Sequence, residues 1–289
     1  MLFRLTFLRA TPPQAYPQSG YGRTSQGGTS SSVLYTVGMR ARPSDRIGGT
    51  PKPRAKKRQP KTNSRWQRLA RWIRNGVLVL VGISLSLVVP FRWIDPKTSA
   101  FMLQDDGGRT PVLFEWVDWP EIGSALPLAA VAAEDQKFAD HHGFDFKSIR
   151  ASVEEFSAGE PLRGASTITQ QVAKNLYLWP GKSFVRKGIE AYLTVWIELT
   201  WPKQRILETY LNIAEFGPGI YGASAASKFF FGKTPAALSD TEAALLAAVL
   251  PNPKTYRVDN PSANVMERQS WILSQMQRLQ REQWMLRLL

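Results

Sequence analysis

The sequence predicts a mainly α-helical domain behind one apolar N-terminal segment that is long enough to cross a membrane. The first observation is a run of seventeen uncharged residues, 75–91. The second is a series of amphipathic segments with helical periodicity beyond residue 94. The third is that no series of segments alternates polar and apolar residues, as a large β-sheet would. We expect at most a short pair of strands within residues 100–118.

The apolar run has the length and composition of a short transmembrane helix. Thirteen Lys and Arg residues lie between Arg40 and Arg74, and only Arg92 and Lys97 follow closely on the other side. By the positive-inside rule, the N-terminus is cytoplasmic and the rest of the chain lies outside. The alternatives are a buried core helix and a cleaved signal peptide, but a long basic leader is unusual for both.

The segment before the anchor is basic and has few periodic apolar residues. Sixteen of the 37 Lys and Arg residues lie in residues 1–74, where Asp45 is the sole acid. Such a segment cannot bury enough surface to offset its ordering entropy, so we expect disorder. An alternative start of translation is Met39. The predicted parts are a disordered basic cytoplasmic tail (1–64), a transmembrane anchor (65–94) and a periplasmic domain (95–289).

The charge and the cysteine count exclude several classes of protein. The formal net charge of +14 belongs to the tail, and the rest of the chain is nearly neutral. A nucleic-acid-binding domain carries its basic patch on folded surface, so we expect no nucleic-acid partner. The absence of cysteine excludes disulfides, thiolate metal sites and cysteine nucleophiles.

Several segments beyond the anchor have the pattern of helices. They are LPLAAVAAEDQKFADHH (126–142), ASTITQQVAKNLYLW (165–179), RKGIEAYLTVWIELTW (186–201), QRILETYLNIAEF (204–216), a short helix through Phe231 and a Gln/Arg-rich helix over the last 29 residues. Ser239 and Glu242 form a capping box ahead of the apolar run AALLAAVL. A turn is expected at Gly217-Pro218-Gly219.

The first group of residues with chemical potential is EDQKFADHHGFD, residues 134–145. On a helix, Glu134, Phe138 and His141 would share one face. A carboxylate beside an aromatic ring at the end of an apolar helix suits a general base. On this motif alone, the alternative is a solvated helix end.

The second group is GASTITQQVAKN, residues 164–175, which crowds hydrogen-bonding side chains into about two helical turns. The start of a helix favours an anion, and a basic residue on its polar face suggests a phosphate or sugar contact. The alternative is a well-capped amphipathic helix. The polar side chains that matter are Ser166, Thr167, Gln170, Gln171, Lys174 and Asn175.

The third group is RKGIE, residues 186–190. Arg186 and Lys187 supply two cations, and Glu190 lies one helical turn further on. The group could clamp a pyrophosphate with a carboxylate nearby. The alternative is an ordinary Arg–Glu pair on a helix.

Order and spacing decide among these alternatives. EDxxFxxHxG, GxSTxTQQxxKN, RKxxE and YLNxxxFGxGxYG follow one another, and together they resemble the glycosyltransferase family 51 domain, which polymerises peptidoglycan. The resemblance covers about residues 105–260. The stretch NIAEFGPGIYGASAASKFFFGK is similar to the monofunctional biosynthetic transglycosylases of Gram-negative bacteria. No SxxK, SDN and KTG set of a transpeptidase follows, so we expect a monofunctional enzyme.

The resemblance implies a lysozyme-like, two-lobed fold whose smaller jaw lobe falls around residues 144–163. Phe144, Phe146, Ile149 and Phe156 would there dip into lipid. It also implies lipid II and the growing lipid-linked glycan as substrates, in the bacterial inner membrane, with single-pass topology. Cell-division or elongation proteins are conceivable partners.

The resemblance also assigns roles to individual residues. Glu134 matches the general base, Glu190 matches the second glutamate, and Asp135 is a weaker candidate to assist Glu134. The cations neutralise the pyrophosphate, and polar side chains hold sugar and phosphate oxygens. No cofactor is required by the sequence, and a divalent cation such as Mg or Mn is conceivable. The expected substrate-binding residues are Ser166, Thr167, Gln170, Gln171, Lys174, Asn175, Arg186, Lys187, Phe138 and His141.

Two rival functions remain at this point. A lysozyme-like hydrolase or lytic transglycosylase also places a glutamate at a helix end, but it does not need Lys174, Arg186 and Lys187, because its substrate carries no pyrophosphate. A non-catalytic membrane scaffold would keep the fold to recruit cell-wall proteins, and retention of Glu134 and Glu190 argues against it.

Overall fold

The computed structural model of the chain describes residues 64–106, 111–157, 166–181 and 183–284, without the side chains of Val153 and Phe156. The predicted disordered tail lies outside the described residues, apart from Ser64.

The described part of the chain is mainly helical, as predicted. Its α-helices are α1 Ser64–Val88, α2 Ala100–Leu103, α3 Trp119–Ile122, α4 Ala125–Glu134, α5 Phe146–Ser157, α6 Ile168–Tyr177, α7 Phe184–Thr200, α8 Lys203–Ile213, α9 Ala223–Phe231, α10 Asp240–Val249 and α11 Ala263–Arg281. Short 3-10 helices span Val89–Arg92 and Pro235–Ala237. The strands are β1 Leu113–Phe114, β2 Glu215–Gly217 and β3 Ile220–Tyr221.

The core is built around α4, whose residues from Leu126 to Ala132 are all buried. A helix that is apolar on every side is expected to be surrounded by other elements, and α4 packs against α8, α10 and α11. A second layer forms where α6 packs against α7 and α8. Because α4 is enclosed up to its last turn, its C-terminus brings Glu134 out of the core at a fixed place.

The strand pair expected within residues 100–118 is wrong. β1 lies in that range, but it pairs in parallel with β3, and Leu113 is opposite Ile220. β2 pairs antiparallel with β3, giving the sheet order β1-β3-β2. The turn expected at Gly217-Pro218-Gly219 is confirmed, since it joins β2 to β3.

The first predicted helix is too long, because α4 ends at Glu134 and not at His142. The backbone leaves the helical conformation at Asp135, with φ −160° and ψ 74°. The Asp135 carboxylate accepts a hydrogen bond from the Ile168 backbone N–H at 3.0 Å. This contact with the start of α6 turns the chain, so the single helical face predicted for Glu134, Phe138 and His141 does not form.

Two capping boxes fix helix starts. Ser239 and Glu242 exchange hydrogen bonds at the start of α10, which confirms the prediction. Thr167 and Gln170 do the same at the start of α6. Each box satisfies two backbone N–H groups that a helix start leaves free.

Among the described residues, one helical segment, Ser64–Arg92, is long and apolar enough to cross a membrane, with a mean hydropathy of 1.9. The C-terminal end of this segment is bonded to the rest of the domain. The Ser84 hydroxyl lies 2.9 Å from the Tyr192 hydroxyl. Side chains from the region of α6 to α8 also donate to backbone carbonyl oxygens at its end. Tyr177 donates to Leu87 at 3.3 Å, and Trp201 donates to Val88 at 3.0 Å. Arg205 donates to Phe91 at 3.0 Å and to Ile94 at 2.9 Å. The candidate anchor is therefore packed on the domain.

The predicted jaw is described only in part. α5 lies within it, and Phe146 is 73% exposed and stacks on Phe144 with ring centroids 5.9 Å apart. Ile149 is half-buried. Residues 158–163 and the Phe156 side chain lie outside the described residues, and contact of the jaw with lipid stays a prediction.

Candidate active site

An open cleft runs past the C-terminal end of α4, between α6 and α11. Its central part, here called the central cleft, has a volume of about 860 Å³. A pocket of about 390 Å³, the α5 pocket, adjoins it and shares Glu134, Ser166 and Trp271. A third pocket of about 240 Å³, the β2 pocket, adjoins the other side and shares Gln171 and Lys174. Glu134 therefore stands where two pockets meet.

Both carboxylate oxygens of Glu134 have a protein donor. The Gln171 side-chain amide donates to Oε2 at 2.9 Å, and Arg268 donates to Oε1 at 3.1 Å. The Glu134 side chain is 14% exposed, so it is reached from the cleft. A carboxylate oxygen has two lone pairs, so one donor on each leaves room to accept a proton.

The Asp135 side chain lies in a buried network, and the residue also lines the α5 pocket. Its carboxylate lies 2.9 Å from His141 Nε2, in addition to the bond from the Ile168 N–H. Both side chains are almost fully buried. The structure therefore gives Asp135 and His141 a part in holding α4 against α6, next to Glu134. Contact of either with substrate stays a prediction.

Glu190 is buried on α7 between the two predicted cations. Arg186 Nη1 donates to it at 2.7 Å, and the Lys187 ammonium bonds the other oxygen. Lys187 also donates to the Ser166 hydroxyl at 3.1 Å, and Arg186 Nε donates to the Gly181 carbonyl at 2.8 Å. Because two cations share one carboxylate, this group keeps a net positive charge beside the cleft.

Lys174 lines the central cleft, where the charges of both Glu190 and Glu134 act on it. Burial lowers the pKa of Lys174 below its usual 10.5, the charge of Glu190 opposes this, and the charges of Arg186 and Lys187 add to it. Glu134 also acts on it, raising the pKa slightly. An ammonium held in a partly desolvated place next to other cations is one that gains from an anionic ligand.

Three other predicted residues, Thr167, Gln170 and Phe138, have structural positions. The Thr167 hydroxyl accepts from the Gln170 N–H and donates to the Gly143 carbonyl at 2.7 Å, and the Gln170 side-chain oxygen accepts from the Thr167 N–H at 3.0 Å. Both side chains thus serve the start of α6. Phe138 has no exposed surface and lies under the Lys203 ammonium, 4.5 Å from its ring centroid. We assign Phe138 to the core instead of to substrate.

Asn175 is buried but lines the β2 pocket beside Lys174. Its predicted contact with substrate is compatible with this position and stays a prediction.

Comparison with known proteins fits this cleft. A family model described as Transglycosylase matches residues 108–277, more than half of the chain. The chain belongs to the transglycosylase family. A protein of Shewanella oneidensis named "Biosynthetic peptidoglycan transglycosylase" is 49% identical over 217 residues, covering 74% of this chain and 93% of that protein. Proteins of the same name from Xanthomonas oryzae pv. oryzae and Xylella fastidiosa are 48% and 47% identical, covering 74% and 72% of this chain and 91% of each relative.

Two residues of the cleft were not identified from the sequence, and both lie on the C-terminal helix α11. Arg268 and Trp271 on α11 line the central cleft, and Trp271 is 45% exposed. They lie in a Gln/Arg-rich amphipathic pattern that is typical of a solvated helix face. No local signal distinguishes the two from their neighbours.

Glu215 was also missed, although it lies within the YLNxxxFGxGxYG motif. It lines the β2 pocket with Tyr221 and Lys254. Burial raises the pKa of Glu215 to about 7, and Asp105 acts in the same direction, whereas the Gly219 N–H and Lys254 oppose them. A carboxyl with a raised pKa therefore lies beside Lys174 and Lys254 in the β2 pocket.

No group of three or more His, Cys, Asp or Glu side chains that could hold a metal ion occurs in the described ranges. Glu190, the carboxylate nearest to the cationic group, has both oxygens engaged by Arg186 and Lys187. The expectation of Mg or Mn stays a prediction.

Proposed function

We propose that the chain is a peptidoglycan glycosyltransferase that polymerises lipid II into β-1,4 glycan strands and releases undecaprenyl pyrophosphate. The observation that carries the proposal is the position of Glu134. It stands between the α5 pocket, which is lined by hydroxyl and carboxyl groups such as Ser148, Ser152 and Asp145, and the central cleft, which is lined by the cations Lys174 and Arg268. The relatives named as biosynthetic peptidoglycan transglycosylases support the same reaction.

The two sides of Glu134 suit the two substrates. Pyrophosphate needs cations; Lys174 lines the central cleft, and Lys187 of the Arg186–Lys187 pair reaches Ser166 at its edge. The α5 pocket offers Ser148, Ser152 and other hydroxyl and carboxyl groups that suit sugar hydroxyls. We therefore assign the leaving pyrophosphate of the donor glycan to the central-cleft side and the GlcNAc of the acceptor lipid II to the α5 pocket.

The proposed reaction is an inverting displacement. Glu134 takes the proton of the acceptor GlcNAc 4-hydroxyl as its oxygen attacks C1 of the donor MurNAc. The bond from C1 to the pyrophosphate oxygen breaks, and the electron pair leaves with undecaprenyl pyrophosphate. Lys174, Arg186 and Lys187 stabilise the charge that develops there. The α-linkage of the donor becomes a β-1,4 linkage in the product.

We propose that Ser64–Arg92 is a single membrane span, with the N-terminus in the cytoplasm and the catalytic domain on the periplasmic side of the inner membrane. The basic residues that precede it support this orientation. Placement of the cleft near the membrane suits a substrate that carries a polyprenyl chain. Labelling of single cysteines introduced at either end, in intact cells, tests the topology: periplasmic labelling before residue 64 would contradict it.

The decisive experiment compares wild type, Glu134→Gln and Glu282→Gln with fluorescent lipid II in detergent. Glu282 is exposed at the end of α11 and serves as the matched control. We expect polymer from wild type and control, and a loss of at least about 1000-fold in Glu134→Gln, because the amide cannot accept the proton. Near-normal polymerisation by Glu134→Gln would refute the assignment.

The same preparations separate the rival functions. Incubation with purified sacculi would release muropeptides if the protein cut glycan strands. A folded protein that neither polymerises lipid II nor cuts sacculi would support a scaffold.

A further inference from the structure

The C-terminal helix reaches the proposed reaction centre. Arg268 on α11 is 134 residues from Glu134 in sequence, yet its Nη2 lies 3.1 Å from Glu134 Oε1. The same nitrogen lies 3.3 Å from the Ala133 carbonyl oxygen. Arg268 thus contacts both the carboxylate and the last turn of the helix that carries it.

The position of Arg268 is fixed by its own helix. α11 packs against α4 and α10. Ile272 and Met276 are buried in this interface, and the Gln269 side chain donates to the Thr241 carbonyl at 2.8 Å. The Arg268 side chain is 30% exposed and lines the central cleft. Packing of α11 on α4 and α10 therefore holds the Arg268 guanidinium at the wall of the central cleft.

Arg268 and Gln171 hold the carboxylate from opposite directions. Gln171 comes from α6 and binds Oε2, whereas Arg268 comes from α11 and binds Oε1. With one donor on each oxygen, rotation of the carboxylate about its last torsion costs both hydrogen bonds.

We propose that Arg268 is the positioning residue of the general base, so that α11 completes the catalytic centre. This inference rests on the proposed function, because it takes Glu134 as the base. Arg268 acts through the Glu134 carboxylate and is assigned no contact with either sugar. It holds the Glu134 carboxylate in one orientation, and a small misplacement of a catalytic group is costly.

The test uses the full-length protein in detergent with Arg268→Gln and Arg268→Lys. Arg281→Gln, exposed at the end of the same helix, is the matched control. Initial rates with lipid II give kcat and KM, and rates in H₂O and D₂O give the solvent isotope effect. A merely structural defect lowers the fraction of active enzyme but leaves the isotope effect unchanged. Thermal unfolding of each variant is measured in parallel.

We expect Arg268→Gln to lower kcat by about 10- to 100-fold, with KM changed by less than about threefold. The solvent isotope effect should rise, because proton transfer to a misplaced base becomes slower. Arg268→Lys should recover most of kcat, since it restores the charge, and Arg281→Gln should match wild type.

Several results would overturn the inference. Wild-type kcat in Arg268→Gln, an unchanged isotope effect, or equal loss in the Lys and Gln variants would each do so. If Arg268→Gln does not fold, Arg268→Lys decides alone: a kcat more than tenfold below wild type would contradict the proposal. Failure of the proposed function is distinct, since Glu134→Gln would then keep its activity whatever Arg268 does.

Discussion

Replacement of Asp135 by Asn should destabilise the domain strongly, although it removes no atoms from the core. Asp135 is 8% exposed and joins three parts of the chain: the end of α4, His141 and the start of α6. As a carboxylate it accepts from the Ile168 N–H at 3.0 Å and lies 2.9 Å and 3.1 Å from His141 Nε2. An amide keeps one acceptor oxygen and places a donor where the second oxygen was.

The magnitude follows from these contacts. A hydrogen bond to a charged group contributes about 1.5–3 kcal/mol, and a buried group left unsatisfied costs about 1–3 kcal/mol. The Asn variant loses the charge at both contacts but keeps a hydrogen bond to one partner. We therefore expect its free energy of unfolding to fall by about 2–4 kcal/mol. For a domain of about 200 residues, this lowers Tm by roughly 5–12 °C.

Thermal unfolding followed by circular dichroism in detergent measures the effect. Asp259→Asn is the matched control, because Asp259 pairs with Arg257 on the surface, where 48% and 61% of the two side chains are exposed. We expect this control to lie within about 0.5 kcal/mol of wild type. A Tm of Asp135→Asn within 2 °C of the control would refute the reasoning, since Asp135 would then not hold α4 to α6.

Two further predictions concern the segment around β2. Burial raises the pKa of Glu215 from 4.5 to about 7, so the stability that this proton contributes is complete below pH 4.5 and is lost as the pH rises through 7. Wild type should therefore lose about 1–2 kcal/mol relative to Glu215→Gln between pH 4.5 and 8, after discounting for partial exposure. Parallel pH curves of Tm for the two proteins would contradict this. Gly222→Ala should lower the free energy of unfolding by at least about 2 kcal/mol, because Gly222 has φ +86° and an added Cβ would lie 2.6 Å from the Asn212 carbonyl oxygen. Chemical denaturation measures this loss, and a value below about 0.5 kcal/mol would contradict the prediction.

Sequence reasoning succeeded where local chemistry fixes an element. The Ser239 box marks the start of α10, and the strong apolar periodicity around Leu193 marks α7. It failed at Asp135, because the conformation of that residue depends on a backbone N–H 33 positions later. The pairing of β1 with β3 could not be predicted either, because a two-residue strand has no hydrophobic pattern of its own and its partner lies far along the chain.

The candidate site was predicted in part. The motifs identified Glu134 and Lys174, which line one cleft, and Glu190, whose charge acts on Lys174. Hydrogen-bonding potential alone could not separate Gln171, which binds Glu134, from Gln170, which caps α6. Arg268 could not be found, because its neighbours in sequence are equally polar and only the packing of α11 turns it inward.

The bonds at the end of the candidate anchor have a consequence for the direction of synthesis. A domain on a flexible tether would turn freely above the bilayer, and each new sugar could emerge on any heading. Here Tyr177, Trp201 and Arg205 bind the carbonyl oxygens where the apolar helix ends. If Ser64–Arg92 is the membrane span, as proposed, the tilt of the cleft relative to the membrane is thus set by this helix. With the proposed topology, the growing glycan strand leaves the enzyme in one direction relative to the membrane helix. To change that direction, the whole molecule must rotate in the plane of the membrane.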